Sequence, residues 1–182
     1  MNKPQQQILE SALAHHAAGR LAEAEALYSQ ILQADPNQHD ALHLLGVIAH
    51  QVGKNDIAVD LIGKALAIKP DHADAHHNLG NALTVLGRNE DAATSYRQAT
   101  LIKPDYATAH YALGNALRRL GRATEAIDSY NKALALNPEL AEAHSNLGLT
   151  LHDLGKFAQA ADSFRAALNI NLDFAEALYN LG

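Results

Sequence analysis

Prolines at Pro36, Pro70, Pro104 and Pro138 stand 34 residues apart, and two sets of glycines and one of alanines keep the same step. The glycines are Gly46, Gly80, Gly114, Gly148 and Gly182 in one set and Gly19, Gly53, Gly87, Gly121 and Gly155 in the other. The alanines are Ala24, Ala58, Ala92, Ala126 and Ala160. Compositional bias does not put three residue types on one period, so the chain reads as a tandem array of a single supersecondary unit. Such a unit cannot bury its apolar face alone, and stacking on its neighbours supplies the core.

Each period holds two stretches with apolar residues at i, i+3, i+4 and i+7 spacing, as in Leu79, Leu83 and Leu86 and then Ala92, Tyr96 and Ala99. The unit is therefore a helical hairpin. Hydrophobic residues make up 48% of the chain but aromatics only 5%, with no tryptophan, which favours helices packed closely through small side chains. Gly53, Gly87, Gly121 and Gly155 are expected to end the first helix in the left-handed conformation. Each is followed by a cation, Lys54, Arg88, Arg122 or Lys156, at the negative end of that helix's dipole. The second helix closes near the proline, and Asn37, Asp71, Asp105, Glu139 and Asp173 are expected to cap or charge the next start.

The run Asn78-Leu79-Gly80, Gly87, Ala92, Tyr96, Ala99 and Pro104 resembles the tetratricopeptide repeat (TPR) in residue type and order. That resemblance implies an all-α, right-handed superhelical solenoid of stacked antiparallel helical hairpins. It divides the chain into a tail at residues 1–4 and five repeats at 5–38, 39–72, 73–106, 107–140 and 141–174, with residues 175–182 as the first helix of a sixth. The end repeats depart from the pattern, with Ala12 in place of glycine and Leu172 in place of proline. A terminal repeat has one stacking neighbour fewer, so atypical ends are expected.

The resemblance also implies a concave groove lined by first helices, which holds a peptide or protein segment. Its expected lining is Asp40, His43 and His50 in the second repeat and Asp74, His77, Asn78 and Asn81 in the third. Tyr111, Asn115, Arg118 and Arg119 follow in the fourth repeat, and Glu142, Ser145, Asn146 and His152 in the fifth. The asparagines each offer a donor and an acceptor, matching the groups of an extended backbone. Tyr111 and the histidines add flat contact area, and Arg118 with Arg119 suits a carboxylate or a phosphorylated side chain. Exposed helix faces are polar in any case, and Asp40, Asp74 and Glu142 also favour a helix start through the dipole. The carboxylate clamp of some TPR proteins needs cations where this chain has acids, His, Tyr, Ser and amides. Segments 75–81 and 141–148 resemble the repeat arm of O-linked N-acetylglucosamine transferases, whose asparagine ladder holds substrates. Here Leu44 and Ala112 interrupt the ladder of Asn78, Asn146 and Asn180.

Eleven histidines invite a metal reading, and His76, His110 and His144 sit one period apart. Equivalent positions on stacked helices are roughly 10 Å apart, whereas zinc ligands lie about 2 Å from their ion. These three are expected instead to be partly buried between helices. The pairs His39/His43 and His72/His76 have chelating i, i+4 spacing but no third ligand or adjacent glutamate base. The chain has no cysteine, no phosphate-binding glycine loop and no nucleophile motif, so neither catalysis nor a cofactor is expected. A net charge of -6 argues against nucleic-acid and membrane partners. No signal peptide or spanning segment is evident, and a cytoplasmic location is expected. The chain reads as the amino-terminal part of a longer protein, with Leu178 and Leu181 on an edge suited to self-association with the apolar stripe Ile8, Leu9, Ala12 and Leu13.

Overall fold

The computed structural model describes residues 3–171, and the side chains of residues 5–171. The expected helix over 175–182, with Leu178 and Leu181, lies outside the described residues. Among those described there are ten helices and no strand, so the protein is an all-α helical repeat. They fall into two compact units, one ending at Gly87 and one beginning at Arg88.

The first unit holds α1 (Lys3–Ala17), α2 (Leu21–Ala34), α3 (His39–Gln51), α4 (Asn55–Ile68) and α5 (Ala73–Val85). Each helix packs on the next, and α3 also touches α5. The second unit holds α6 (Asn89–Ile102), α7 (Ala107–Arg119), α8 (Ala123–Leu136), α9 (Ala141–Asp153) and α10 (Phe157–Ile170), in which α7 likewise touches α9. The first helices α3 and α5 thus stand side by side in the first unit, and α7 and α9 in the second. Helix α1 starts at Lys3 and takes in two residues of the expected tail, because Pro4 in the first turn has no N–H to leave unpaired.

The hairpin turns follow the sequence reading. All five turn glycines have φ between 72° and 79°, a conformation in which a Cβ would be strained. The next N–H then reaches back five residues, from Lys54 to the Ala49 carbonyl at 2.8 Å and from Arg122 to the Leu117 carbonyl at 2.9 Å. This closes the first helix. The cation is at the same time the N-cap of the second helix, where positive charge is disfavoured. Arg88 and Arg122 offset this by binding the acid three residues on, Asp91 at 2.7 Å and Glu125 at 2.7 Å.

The junctions between repeats differ from expectation. The residue after proline is not the cap. Gln38 caps α3 by accepting the Ala41 N–H, and His72 caps α5 with Nδ1, 3.2 Å from the Ala75 nitrogen. Helices α7 and α9 have no side-chain cap. Asn37 and Glu139 instead donate their own N–H to the side chains of Asp35 and Asn137, both at 3.1 Å. They belong to the turn that ends the second helix, one position too early to reach the next. The histidine ladder does further work here: Nε2 of His76, His110 and His144 donates to the carbonyls of Pro70, Pro104 and Pro138 at 2.9, 2.9 and 3.1 Å. Each ties the loop to the helix that follows it.

In α2, α4, α8 and α10 one large side chain fills the hairpin: Tyr28, Ile62, Tyr130 and Phe164 are all buried. Its counterpart on the first helix is Ala12, Gly46, Gly114 or Gly148, and a Cβ added at Gly46 would lie 2.6 Å from Ile62 Cγ1. Of the apolar stripe of α1, Ala12 is fully buried and Ile8 and Leu9 pack against the same cluster, while Leu13 is exposed.

Candidate functional site

In the second unit, α7 and α9 bring Tyr111, Asn115 and Asn146 together, and a residue that the sequence reading did not single out joins them. The Tyr130 hydroxyl, from α8, donates to Asn115 Oδ1 at 2.9 Å. Asn146 Nδ2 donates to the same oxygen at 2.9 Å and to the Tyr111 oxygen at 3.1 Å. Burial pushes the Tyr130 phenol well above its ordinary pKa, so it stays a donor. Asn115 Oδ1 therefore accepts twice and its Nδ2 is left over, while Asn146 spends its Nδ2 and keeps Oδ1. Both asparagines are half-buried and neither leftover atom is enclosed. The two amides, held by their neighbours, present one donor and one acceptor, the complement of a peptide unit.

The rest of this face is mixed. Ser145 is fully buried with an unpartnered hydroxyl and has no surface to offer a ligand. Glu142 is exposed in the first turn of α9. His152 stands edge-on to the exposed Phe157 ring, with centroids 5.2 Å apart. Arg119 is exposed, and Arg118 is half-buried with an enclosed, unpartnered Nε.

In the first unit, α3 and α5 join His43 to Asn78, whose Nδ2 donates to His43 Nε2 at 2.9 Å. Only a ring protonated on Nδ1 alone can accept there. His43 is 5% exposed, and burial, followed by the charge of the edge-on His72 ring 4.8 Å away, lowers its pKa to about 4. Asp74 and Asp40 oppose that shift, and His39 adds to it. Asp40 Oδ1 lies 3.0 Å from His39 Nδ1 and 3.9 Å from His72 Nε2. Burial also lowers the pKa of His77. His50 is turned to the hairpin loop, 2.6 Å from Asn55 Oδ1, and Asn55 Nδ2 donates to the Gly53 carbonyl at 3.2 Å. Asp74 is exposed, and Asn81 is half-buried. The chelating pair His72/His76 is divided between a helix cap and a proline carbonyl.

Stacked hairpins of this geometry agree with the sequence families. Tetratricopeptide-repeat models match residues 6–48, 39–72 and 141–174, and a TPR-repeat model matches 80–121 and 114–155. The chain belongs to the tetratricopeptide-repeat proteins. Among solved structures it is similar to the crystal structure of MamA, at 25% identity and a TM-score of 0.83 over 91% of this chain and 96% of that one. MamA from Desulfovibrio magneticus RS-1 superposes with a TM-score of 0.85 at 21% identity, over 96% of this chain and 98% of that one. YrrB, described as a TPR protein with an unusual peptide-binding site, does so with a TM-score of 0.85 at 23% identity over 94% and 89%. The latter two likenesses speak for the fold alone. No curated protein sequence gives a significant match.

Proposed function

We propose that this protein is a non-catalytic interaction scaffold that holds an extended segment of another protein on the first-helix faces of its hairpins. The observation that carries this is the amide pair of the second unit. Asn115 keeps a free N–H donor and Asn146 a free carbonyl acceptor, each immobilised by bonds to Tyr130, Tyr111 and one another. Preorganised groups lose little entropy on binding, so main-chain hydrogen bonds made to them retain more of their energy. The peptide-binding description of YrrB is consistent with this use of the fold.

The amide pair reads backbone and not side chains, which also favours a second reading. A holder indifferent to sequence suits the recruiting arm of a protein-modifying enzyme, as the resemblance to O-linked N-acetylglucosamine transferase arms implies. The test common to both uses a peptide selected on the protein from a random dodecapeptide library. Replacing each of its amides in turn by an ester removes one N–H at a time and leaves the protein untouched. One or two positions should lose about fivefold in affinity, the value of about 1 kcal/mol per hydrogen bond. A scan with no sensitive position would remove the backbone-reading site.

A further inference from the structure

We propose that Arg118 takes an acidic side chain, Asp or Glu, of the segment held by the amide pair, and thereby fixes the segment's register. This rests on the scaffold reading above and adds a specificity determinant to it.

Among the described residues, two arginines lack a side-chain partner, Arg118 and the exposed Arg119, and the others are matched. Arg88, Arg97, Arg122 and Arg165 each lie against a carboxylate, and Arg20 donates to His15 Nδ1. Arg118 has no such partner. Its Nε is enclosed by protein and bonds to nothing, a state in which a buried donor forfeits its hydration without a replacement. A guanidinium does not lose its proton to escape that cost. Its other nitrogens are not enclosed, so its outer edge meets solvent. Glu142 and Asp153, the acids of α9, form no ion pair with it.

Its place fits the amide pair. Arg118 follows Asn115 by three residues, about one turn, on α7, and the positive charges of Arg118 and Arg119 oppose the burial that raises the pKa of the Tyr130 hydroxyl, itself 2.9 Å from Asn115 Oδ1. A segment bonded to Asn115 and Asn146 therefore passes close to the guanidinium. A carboxylate is the ligand of choice, since it accepts two parallel N–H bonds from the fork where a main-chain carbonyl accepts one.

The cation is also singular along the array. The positions equivalent to Arg118 and Arg119 are His16 and Ala17, His50 and Gln51, Thr84 and Val85, and His152 and Asp153. An amide pair alone lets a segment slide by two residues without penalty, because every peptide unit offers the same groups. One cation on one helix removes that degeneracy. In a chain of net charge -6, a tract of acids is repelled while a single acid over Arg118 is held.

The experiment is selection from a random dodecapeptide library on the full chain, followed by titration of the best peptide and of its Asp→Asn (or Glu→Gln) counterpart. Wild-type protein should enrich an acid at one register and prefer the acidic peptide about tenfold, as expected for a charge-assisted bond. Arg118→Gln should bind both peptides equally, Arg118→Lys should restore part of the preference, and added salt should shrink it in the wild type. The salt series reads the interaction even if the Gln variant does not fold. Peptides without an acid preference, or with one that survives in Arg118→Gln, overturn this inference and leave the scaffold reading intact. Recovery of no peptide at all overturns both.

Discussion

Gly114 and Tyr130 fit together only because one of them lacks a Cβ: an atom added at Gly114 would lie 2.5 Å from Tyr130 Cε1 and 2.7 Å from Cδ1. Tyr130 has nowhere to retreat, since it is fully buried and its hydroxyl is held by Asn115. Gly114→Ala should therefore destabilise the second unit by about 1–3 kcal/mol, the usual cost of overpacking, despite the better helix propensity of alanine. The reverse change in the first repeat, Ala12→Gly, creates no clash and should cost about 1 kcal/mol through helix propensity. Urea denaturation midpoints decide this, and a Gly114→Ala protein as stable as wild type would contradict the packing described.

Tyr28 and Tyr130 occupy equivalent places but differ at the hydroxyl. Tyr130 donates to Asn115, whereas the Tyr28 hydroxyl is buried without a partner. Burial raises the pKa of both, so neither escapes by ionising. Tyr130→Phe should cost about 1 kcal/mol, while Tyr28→Phe should be neutral or stabilising, because it removes a desolvated group that bonds nothing. Thermal melts of the two variants should move in different directions, and equal losses would mean that Tyr28 has an acceptor.

The reason for that difference lies in plain view in the sequence. Fifteen residues before Tyr130 stands Asn115, which accepts its hydroxyl, and at the same spacing Leu149 precedes Phe164, Val47 precedes Ile62 and Leu13 precedes Tyr28. Polar tip goes with amide and apolar tip with aliphatic, except in the first repeat. The period and the hairpins were legible because glycine and proline act through the backbone of their own neighbourhood. The amide network was not, because Tyr130 carries an apolar ring in the core and its hydroxyl at the face, and periodicity records the ring alone. The burial of Ser145, and the engagement of His50 with Asn55, depend on side-chain direction, which spacing does not give.

The proline carbonyls make the histidine ladder testable. His110 is 7% exposed and donates to Pro104 oxygen at 2.9 Å across the repeat junction. His110→Phe keeps most of the volume and removes the donor, so it should cost about 1–3 kcal/mol through the carbonyl left unpaired near the protein interior. His110→Gln, which retains a donor, should recover part of this. If His110→Phe matches wild type in urea denaturation, the ladder serves packing alone.

His43 gives the first unit a dependence on acid. Its pKa in the folded chain is about 4, from burial first and His72 second, against 6.5 for an unhindered imidazole. Between those values the unfolded chain binds a proton that the folded chain refuses, so stability is fully present above about pH 6.5 and falls as the pH drops toward 4. At about 1.4 kcal/mol per pH unit, the loss is on the order of 3 kcal/mol with the opposing charges of Asp40 and Asp74 already included, and His77 adds to it. Protonation also turns Nε2 into a donor facing the Asn78 amide donor 2.9 Å away, so the bond is lost along with the neutral ring. His43→Leu fills the site with an apolar side chain and carries no proton. Its urea midpoint should be lower than that of wild type at pH 7, because Asn78 loses its acceptor, yet should change much less between pH 7 and pH 4. Parallel pH profiles for the two proteins would show that His43 takes up its proton without unfolding the helices around it.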